Sequence, residues 1–227
     1  MTASLLRRLA AEFLGSGLLT TIVVGSGIAA QRLSPHDIGL QLLENVVAIC
    51  AGLPVLIIVF GPLSGAHFNP LVSLVESVSG GRPWRDTALY IPAQVLGCIL
   101  GAMLANVMFA EPAVSFSRND RLTGPHFLSE IVATAGLIFV IFALDRVGRA
   151  AVSPVAVSAY IAAACFFTSS ACFVNPAVTV GRMLSDSFTG IAPASVPGYL
   201  AAQLLGAAVG YLLVRLFFPR RLPVVAN

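Results

Sequence analysis

Apolar residues run through this chain in long blocks, and polar positions cluster briefly between them. Six blocks stand out, over about 6–28, 38–60, 86–108, 127–144, 151–168 and 194–217. Each is near the ~20 residues that an α-helix needs to cross the hydrocarbon of a bilayer. Gly and Pro interrupt several blocks, which membrane helices tolerate. Two shorter apolar segments are each headed by an Asn-Pro pair: Asn69-Pro70-Leu71 and Asn175-Pro176-Ala177. Asn caps the free N–H groups of a first helical turn, and Pro fits the first helical position. The pattern predicts short helices over 69–79 and 175–185, each about ten residues or roughly 15 Å long. End to end they make about 30 Å, one hydrocarbon thickness. Irregular backbone leading into them at that depth needs protein or water around it.

The chain repeats itself. Ala93-Gln94-Val95-Leu96-Gly97 returns as Ala202-Gln203-Leu204-Leu205-Gly206. Gly101 and Gly210 complete G-x-x-x-G in both copies, a spacing that lets helices approach closely. Glu12 in the first block has a counterpart in Glu130 of the fourth. Each half reads as a helix with Glu, a second helix, an Asn-Pro segment and a helix with the glutamine–glycine pattern. An odd number of spans per half forces the halves into opposite orientations, so the Asn-Pro segments dip from opposite faces toward one midplane. The fold predicted is an all-α membrane protein of six transmembrane helices plus two re-entrant half-helices. Its inverted repeats cover about 1–110 and 120–220 of a single domain, 1–227.

Composition agrees with that class. Of 227 residues, 57% are hydrophobic and 10% charged, with a mean hydropathy of +0.91. That is more apolar than a soluble domain can bury. The basic residues, 13 in all, are arginines. With the N-terminus inside, the cytoplasmic side collects Arg7, Arg8, Arg82, Arg85, Arg146, Arg149, Arg215, Arg220 and Arg221. The outside collects Arg32, Arg118, Arg121 and Arg182. The bias places both termini in the cytoplasm. The net charge of +3 then reflects topology rather than a nucleic-acid surface. Arg7-Arg8 ahead of an apolar run also mimics a secretory leader, but the run is long for one and carries Glu12. Cys50, Cys98 and Cys165 fall inside apolar blocks as small core residues, with no C-x-x-C pattern. Cys172 stands three residues before Asn175, beside the expected aqueous passage. No nucleophile–base pair, metal cluster or phosphate loop is present in the pattern, so neither enzymatic activity nor a cofactor or metal is expected.

These residues carry a resemblance. Ser64-Gly65-Ala66-His67-Phe68-Asn69-Pro70 resembles the first signature of the aquaporins, the major intrinsic protein family, and Asn175-Pro176-Ala177 matches the second. The glutamates and glutamine–glycine pairs fall where that family has them. The segment Asp186-Ser187-Phe188-Thr189-Gly190-Ile191-Ala192-Pro193 resembles the bacterial branch of arsenic-resistance operons. The resemblance implies a passive channel for small uncharged solutes in a bacterial inner membrane, assembled as a homotetramer with one pore per subunit. Each Asn oxygen would cap its half-helix and leave its NH₂ donors to passing oxygens. The positive helix ends would raise the energy of cations there.

The constriction departs from the family pattern. An Arg usually follows the second Asn-Pro-Ala; here it is Val178. Offsets from the two Asn residues put the other filter positions at Ile49, Ala163 and the backbone of Cys172. Ile, Ala and Val make a wide, uncharged ring, open to glycerol, water and arsenous acid. The Asp of glycerol channels is also replaced, by Thr179, a pore-lining candidate with His67 and Arg182. Other readings stand beside these. His67 is either a packed histidine or pore-lining with one nitrogen toward solvent. Glu12 and Glu130 are either proton-relay acids or, the favoured reading, acceptors for the irregular loops. Arg182 either charges the outer vestibule or pairs with Asp186, four residues on. Trp84 reads as an interfacial anchor. A secondary transporter uses inverted repeats and broken helices too, but needs a titratable or ion-binding group at the midplane. A plain water channel is the narrower alternative.

Overall fold

A computed structural model describes residues 3–219. Eight α-helices follow one another: α1 (Leu5–Leu33), α2 (Ile38–Ser64), α3 (Pro70–Val78), α4 (Trp84–Met108), α5 (Gly124–Arg146), α6 (Ser153–Phe167), α7 (Pro176–Arg182) and α8 (Val196–Phe217). Short 3₁₀ turns at Ala150–Val152 and Pro193–Ser195 lead into α6 and α8. Among the described residues 6 helical segments are apolar and long enough to cross a membrane, α6 and α8 together with the 3₁₀ turns that lead into them. α1, α2 and α5 extend past the apolar blocks because capped, partly charged turns continue them at the ends, whereas α6 and α8 begin two residues inside theirs, after the 3₁₀ turns. Ser4 caps α1, Asp37 caps α2 and Thr123 caps α5.

Each half is built on one close helix pair. α1 crosses α4, and α5 crosses α8. The glycine motifs set both crossings within the chain. A Cβ at Gly97 or Gly101 would strike the carbonyls of Phe13 or Gly17, and one at Gly206 would lie 2.6 Å from the Ile131 carbonyl. These glycines are therefore spent on packing inside the chain. α2 and α6 join the halves. Large apolar side chains such as Val55, Val59 and Leu212 remain exposed on the outside, as a lipid-facing surface requires.

Two faces follow from the helix directions. α1 and α4 begin on one, tied by Arg8 to Asp86 at 2.7 Å, and α5 and α8 end there, where Arg146 donates to the Phe218 carbonyl. We call this the terminal face. The opposite, far face carries the 109–123 and 183–195 connections. The second half-helix is shorter than the expected 175–185. It stops at Arg182 because the carbonyls of Met183 and Leu184 turn aside to accept from Ser117 and Ser115 of the 109–123 connection, at 2.9 and 3.0 Å.

Candidate pore and constriction

Two loops enter the protein from opposite faces, and a buried glutamate shapes each. Glu12 Oε1 accepts from Ser64 Oγ at 2.6 Å and the His67 N–H at 3.0 Å. Its Oε2 accepts from the Phe68 N–H at 2.8 Å and Gln94 Nε2 at 2.7 Å. Glu130 repeats the set with Ser170 Oγ, the Phe173 and Val174 N–H groups and Gln203 Nε2, at 2.6 to 2.9 Å. Both carboxylates are 0% exposed and have no basic partner within salt-bridge distance among the described residues. Hydrogen-bond donors replace their hydration instead. The loops need this support. Ala66, Phe68, Ala171, Cys172 and Val174 all have φ between 49° and 60°, in the left-handed region that costs a non-glycine residue about 1–3 kcal/mol.

The half-helices start where the loops end. Asn69 Oδ1 accepts from the Leu71 N–H at 2.9 Å, and Asn175 Oδ1 from Ala177 and Val178 at 3.0 and 3.3 Å. Pro70 and Pro176 occupy the first helical positions, where no N–H is needed. The amide nitrogens reach across the midplane. Asn69 Nδ2 donates to the Val174 carbonyl at 2.9 Å, and Asn175 Nδ2 to the Phe68 carbonyl at 2.7 Å. This corrects the expectation that both donors of each Asn face the passage. One braces the opposite loop, and one N–H remains. Below each Asn a hydroxyl takes up the glutamine: Ser73 accepts from Gln94 and Thr179 from Gln203, both at 3.0 Å. Thr179 is 0% exposed and also donates to the Asn175 carbonyl, so it belongs to this support and not to the pore wall.

A cavity of about 660 Å³ runs past both asparagines, from Asp145 and Arg146 at the terminal face to Arg121 and Phe188 at the far face. Ile49, Cys172 and Val178 line it, in one apolar cluster with Leu19 and Val23. Ala163 does not. The α6 residues on the cavity are Ser153, Pro154, Val157, Ile161 and Cys165, of which positions 153, 157, 161 and 165 form a row with the four-residue spacing of one helix face. Ala163 sits two positions on, turned about 200° away, and is exposed on the outside. Offset counting failed here because the connection from α6 to Asn175 fixes the helix phase, and its length does not appear in a spacing. The same phase brings Cys165 onto the cavity, against the expectation of a packed helix position.

The two mouths differ in charge. At the terminal face His67 lines the cavity with both ring nitrogens engaged, Nε2 on Glu76 at 2.6 Å and Nδ1 on Ser73 Oγ at 2.8 Å. Neither nitrogen is left for solvent, which answers the alternatives open for it. Arg82 donates to Glu76 at 3.0 Å and packs on the Tyr90 ring at 4.3 Å, so this mouth is charge-compensated. At the far face Arg182, buried to 6% exposure, donates its Nε to the Thr189 carbonyl and lies 3.3 Å above the Phe173 ring. Its Nη groups make no hydrogen bond with the described residues, and Arg182 is among the residues that line the cavity. Asp186, the expected partner, instead pairs with Arg118 at 2.8 Å. Arg121 stands beside it, 5.5 Å from the same ring, held by the Gly190 and Phe188 carbonyls. Burial lowers the Arg121 pKa from its ordinary value. Sequence spacing offered Arg182 but not Arg121, which approaches from a distant connection.

Six spanning helices, two opposed half-helices and a cavity between them define an integral membrane channel. The chain belongs to the major intrinsic protein family, whose model matches residues 1–171 and again 150–226. It is 47% identical to the aquaglyceroporin AqpS of Rhizobium meliloti (strain 1021) over 222 residues, covering 97% of this chain and 94% of that one. It is 29% identical to a glycerol uptake facilitator protein of Pseudomonas aeruginosa, covering 99% and 93%. The solved structure of the aquaglyceroporin from Plasmodium falciparum superposes with a TM-score of 0.67 at 22% identity, over 93% and 96% of the two chains, and shares the fold.

Proposed function

We propose that this channel passes small uncharged solutes rich in hydroxyls, with glycerol, water and undissociated arsenous acid within its range. The observation that carries this is the apolar cavity wall shared by Ile49, Ile161 and Val178, together with midplane donors that, among the described residues, are the neutral amides of Asn69 and Asn175. Each Asn offers one N–H to a passing oxygen, and nothing at that level binds an ion strongly enough to couple its flow. The names of the two bacterial relatives favour glycerol as one solute. Width favours the compact trihydroxyl arsenous acid as another, since Val178 leaves open the space that a guanidinium would fill.

Charge against cations comes from one turn further out. Arg182, with Arg121 beside it, supplies the positive potential that position 178 lacks. The far face is then the outside. Arg7, Arg8, Arg82, Arg85, Arg146, Arg149 and Arg215 lie toward the terminal face, in agreement with a cytoplasmic location; Arg220 and Arg221 lie outside the described residues. We place the protein in a bacterial inner membrane as a homotetramer with a pore in each subunit.

Proteoliposome flux tests the reading. Glycerol and arsenous acid should equilibrate at rates linear in concentration, unchanged by an imposed proton gradient. Saturating flux, or accumulation driven by that gradient, would make the protein a secondary transporter.

A further inference from the structure

Arg8, Arg32, Arg82 and Arg118 each hold a carboxylate, that of Asp86, Glu111, Glu76 and Asp186, at 2.7 to 3.0 Å. Arg121 and Arg182 at the far mouth hold none among the described residues, although both line the cavity and lie against the same Phe173 ring. A charge buried as deeply as that of Arg182 is costly without a counter-ion. The acids nearby are engaged elsewhere. Asp186 is on Arg118, and Asp120 accepts from Ser195 Oγ and the Leu122 N–H. Glu130 accepts from Ser170, Phe173, Val174 and Gln203, beyond salt-bridge distance of either guanidinium. Even counted in full, its one carboxylate leaves one positive charge in excess. Free donors accompany that charge. Arg121 gives Nε and Nη2 to the Gly190 and Phe188 carbonyls and keeps Nη1; Arg182 gives Nε to Thr189 and keeps both Nη groups. None of these three nitrogens is sealed from solvent, whereas the unpaired Arg82 Nη1 at the other mouth is.

We propose that Arg121 and Arg182 form a binding site for a small monovalent oxyanion of the dihydrogen phosphate kind, and that its occupant obstructs the passage of neutral solutes. The excess charge sets the valence. The two Nη groups of Arg182 form a fork that matches two oxygens of one anion, a contact that chloride cannot make. Arg121 Nη1 adds a donor from the 109–123 connection. The low dielectric around Arg182 strengthens the pairing, because water competes poorly there. The anion stays a guest of the mouth. The wall of Ile49, Ile161 and Val178 further in is apolar, so an ion that leaves the two arginines loses its partners and gains none.

Binding of the anion stands apart from the channel reading; the obstruction rests on it. Both are measured in mildly acidic buffer, where the phosphate monoanion predominates, with phosphate replacing chloride at constant ionic strength. In neutral detergent the protein should retain radiolabelled phosphate at one per chain in equilibrium dialysis, with chloride competing weakly. In phosphatidylcholine liposomes with phosphate on both sides, glycerol flux should fall along the same saturation curve. Arg182→Leu and Arg121→Gln should each weaken phosphate binding about tenfold and restore flux in phosphate. Arg182→Lys keeps the charge where leucine disturbs folding but loses the fork, and should lower the preference for phosphate over chloride. Arg149→Gln, exposed at the terminal face, should bind phosphate as the parent does. No saturable retention in the parent, or retention unchanged in Arg182→Leu and Arg121→Gln, overturns the site. An unchanged preference in Arg182→Lys overturns the fork, and displacement of phosphate by added phosphatidylglycerol overturns the soluble anion in favour of a lipid headgroup. Retention with full glycerol flux, or entry of labelled phosphate into the liposomes, overturns the obstruction. Retention in a protein that conducts no glycerol supports the site and removes the channel reading.

Discussion

The two halves of the molecule share a frame and differ in what they show to the cavity. Glu12 and Glu130 hold matching sets of loop N–H, serine and glutamine donors. Tyr90 and Tyr199 stand edge-on to His67 and Phe173, at 5.7 and 5.0 Å. At the cavity the likeness ends. His67 faces Phe173 across the repeat, Ala66 faces Cys172, and Glu76 faces Arg182. Bringing two loops to the midplane imposes the same backbone demands from either side, so the frame repeats. Selectivity has no such symmetry, and a neutral terminal mouth therefore opposes a cationic far one.

The frame should show the largest effects. Glu12→Gln and Glu130→Gln each replace an acceptor oxygen by an NH₂ facing other donors, at a cost of about 3 kcal/mol. Thermal unfolding in detergent micelles should fall by similar amounts in the two variants. A variant with the parent's stability would show that its loop is held by something else.

At the midplane, Asn69→Asp and Asn175→Asp keep the cap but lose the donor to Val174 or Phe68 and add negative charge. Glycerol flux should drop about tenfold, equivalent to ~1.4 kcal/mol on the barrier, with weaker exclusion of cations. Normal, cation-tight flux in both variants would break the opposed half-helix pore.

The mouths are where the halves part. A unit charge about 10 Å away at an effective dielectric near ~20 is worth ~1.7 kcal/mol, so Arg182→Leu should raise proton or sodium leak about tenfold. Leak measured by a pH-sensitive dye in glycerol-competent liposomes checks this, and no change would move the cation barrier to the half-helix ends. Val178→Arg should then lower the glycerol-to-water permeability ratio severalfold as the guanidinium spans toward Ile49. A level ratio with water still flowing would show that position 178 does not set the width.

Legibility followed the same division. The frame was readable because each part is a local or repeated signal: Asn-Pro starts, glycine spacing, a glutamate in each half. The loop acceptor role favoured for the glutamates agrees with the hydrogen bonds they make. The cavity wall was less readable, because it depends on helix phase and on contacts between distant connections. Arg182 took Phe173 and Thr189 over Asp186, and Thr179 turned inward to Gln203, neither of which a spacing can express.

The smallest effect tests that limit directly. Ile161 and Ala163 are two residues apart on α6, one on the cavity and one exposed outside. Ala163→Leu adds apolar volume on the exposed outer side of the helix, and surface changes of that kind stay within about 0.5 kcal/mol. Its glycerol-to-water ratio should match the parent's. Ile161→Ala, by contrast, removes three carbons from the cavity wall and should raise the ratio, as glycerol gains more from width than water does. A ratio that shifts with Ala163→Leu but not with Ile161→Ala would turn the α6 face by two residues and return position 163 to the constriction. The pair thus measures helix phase through transport alone, with protein content and folding matched between the two variants.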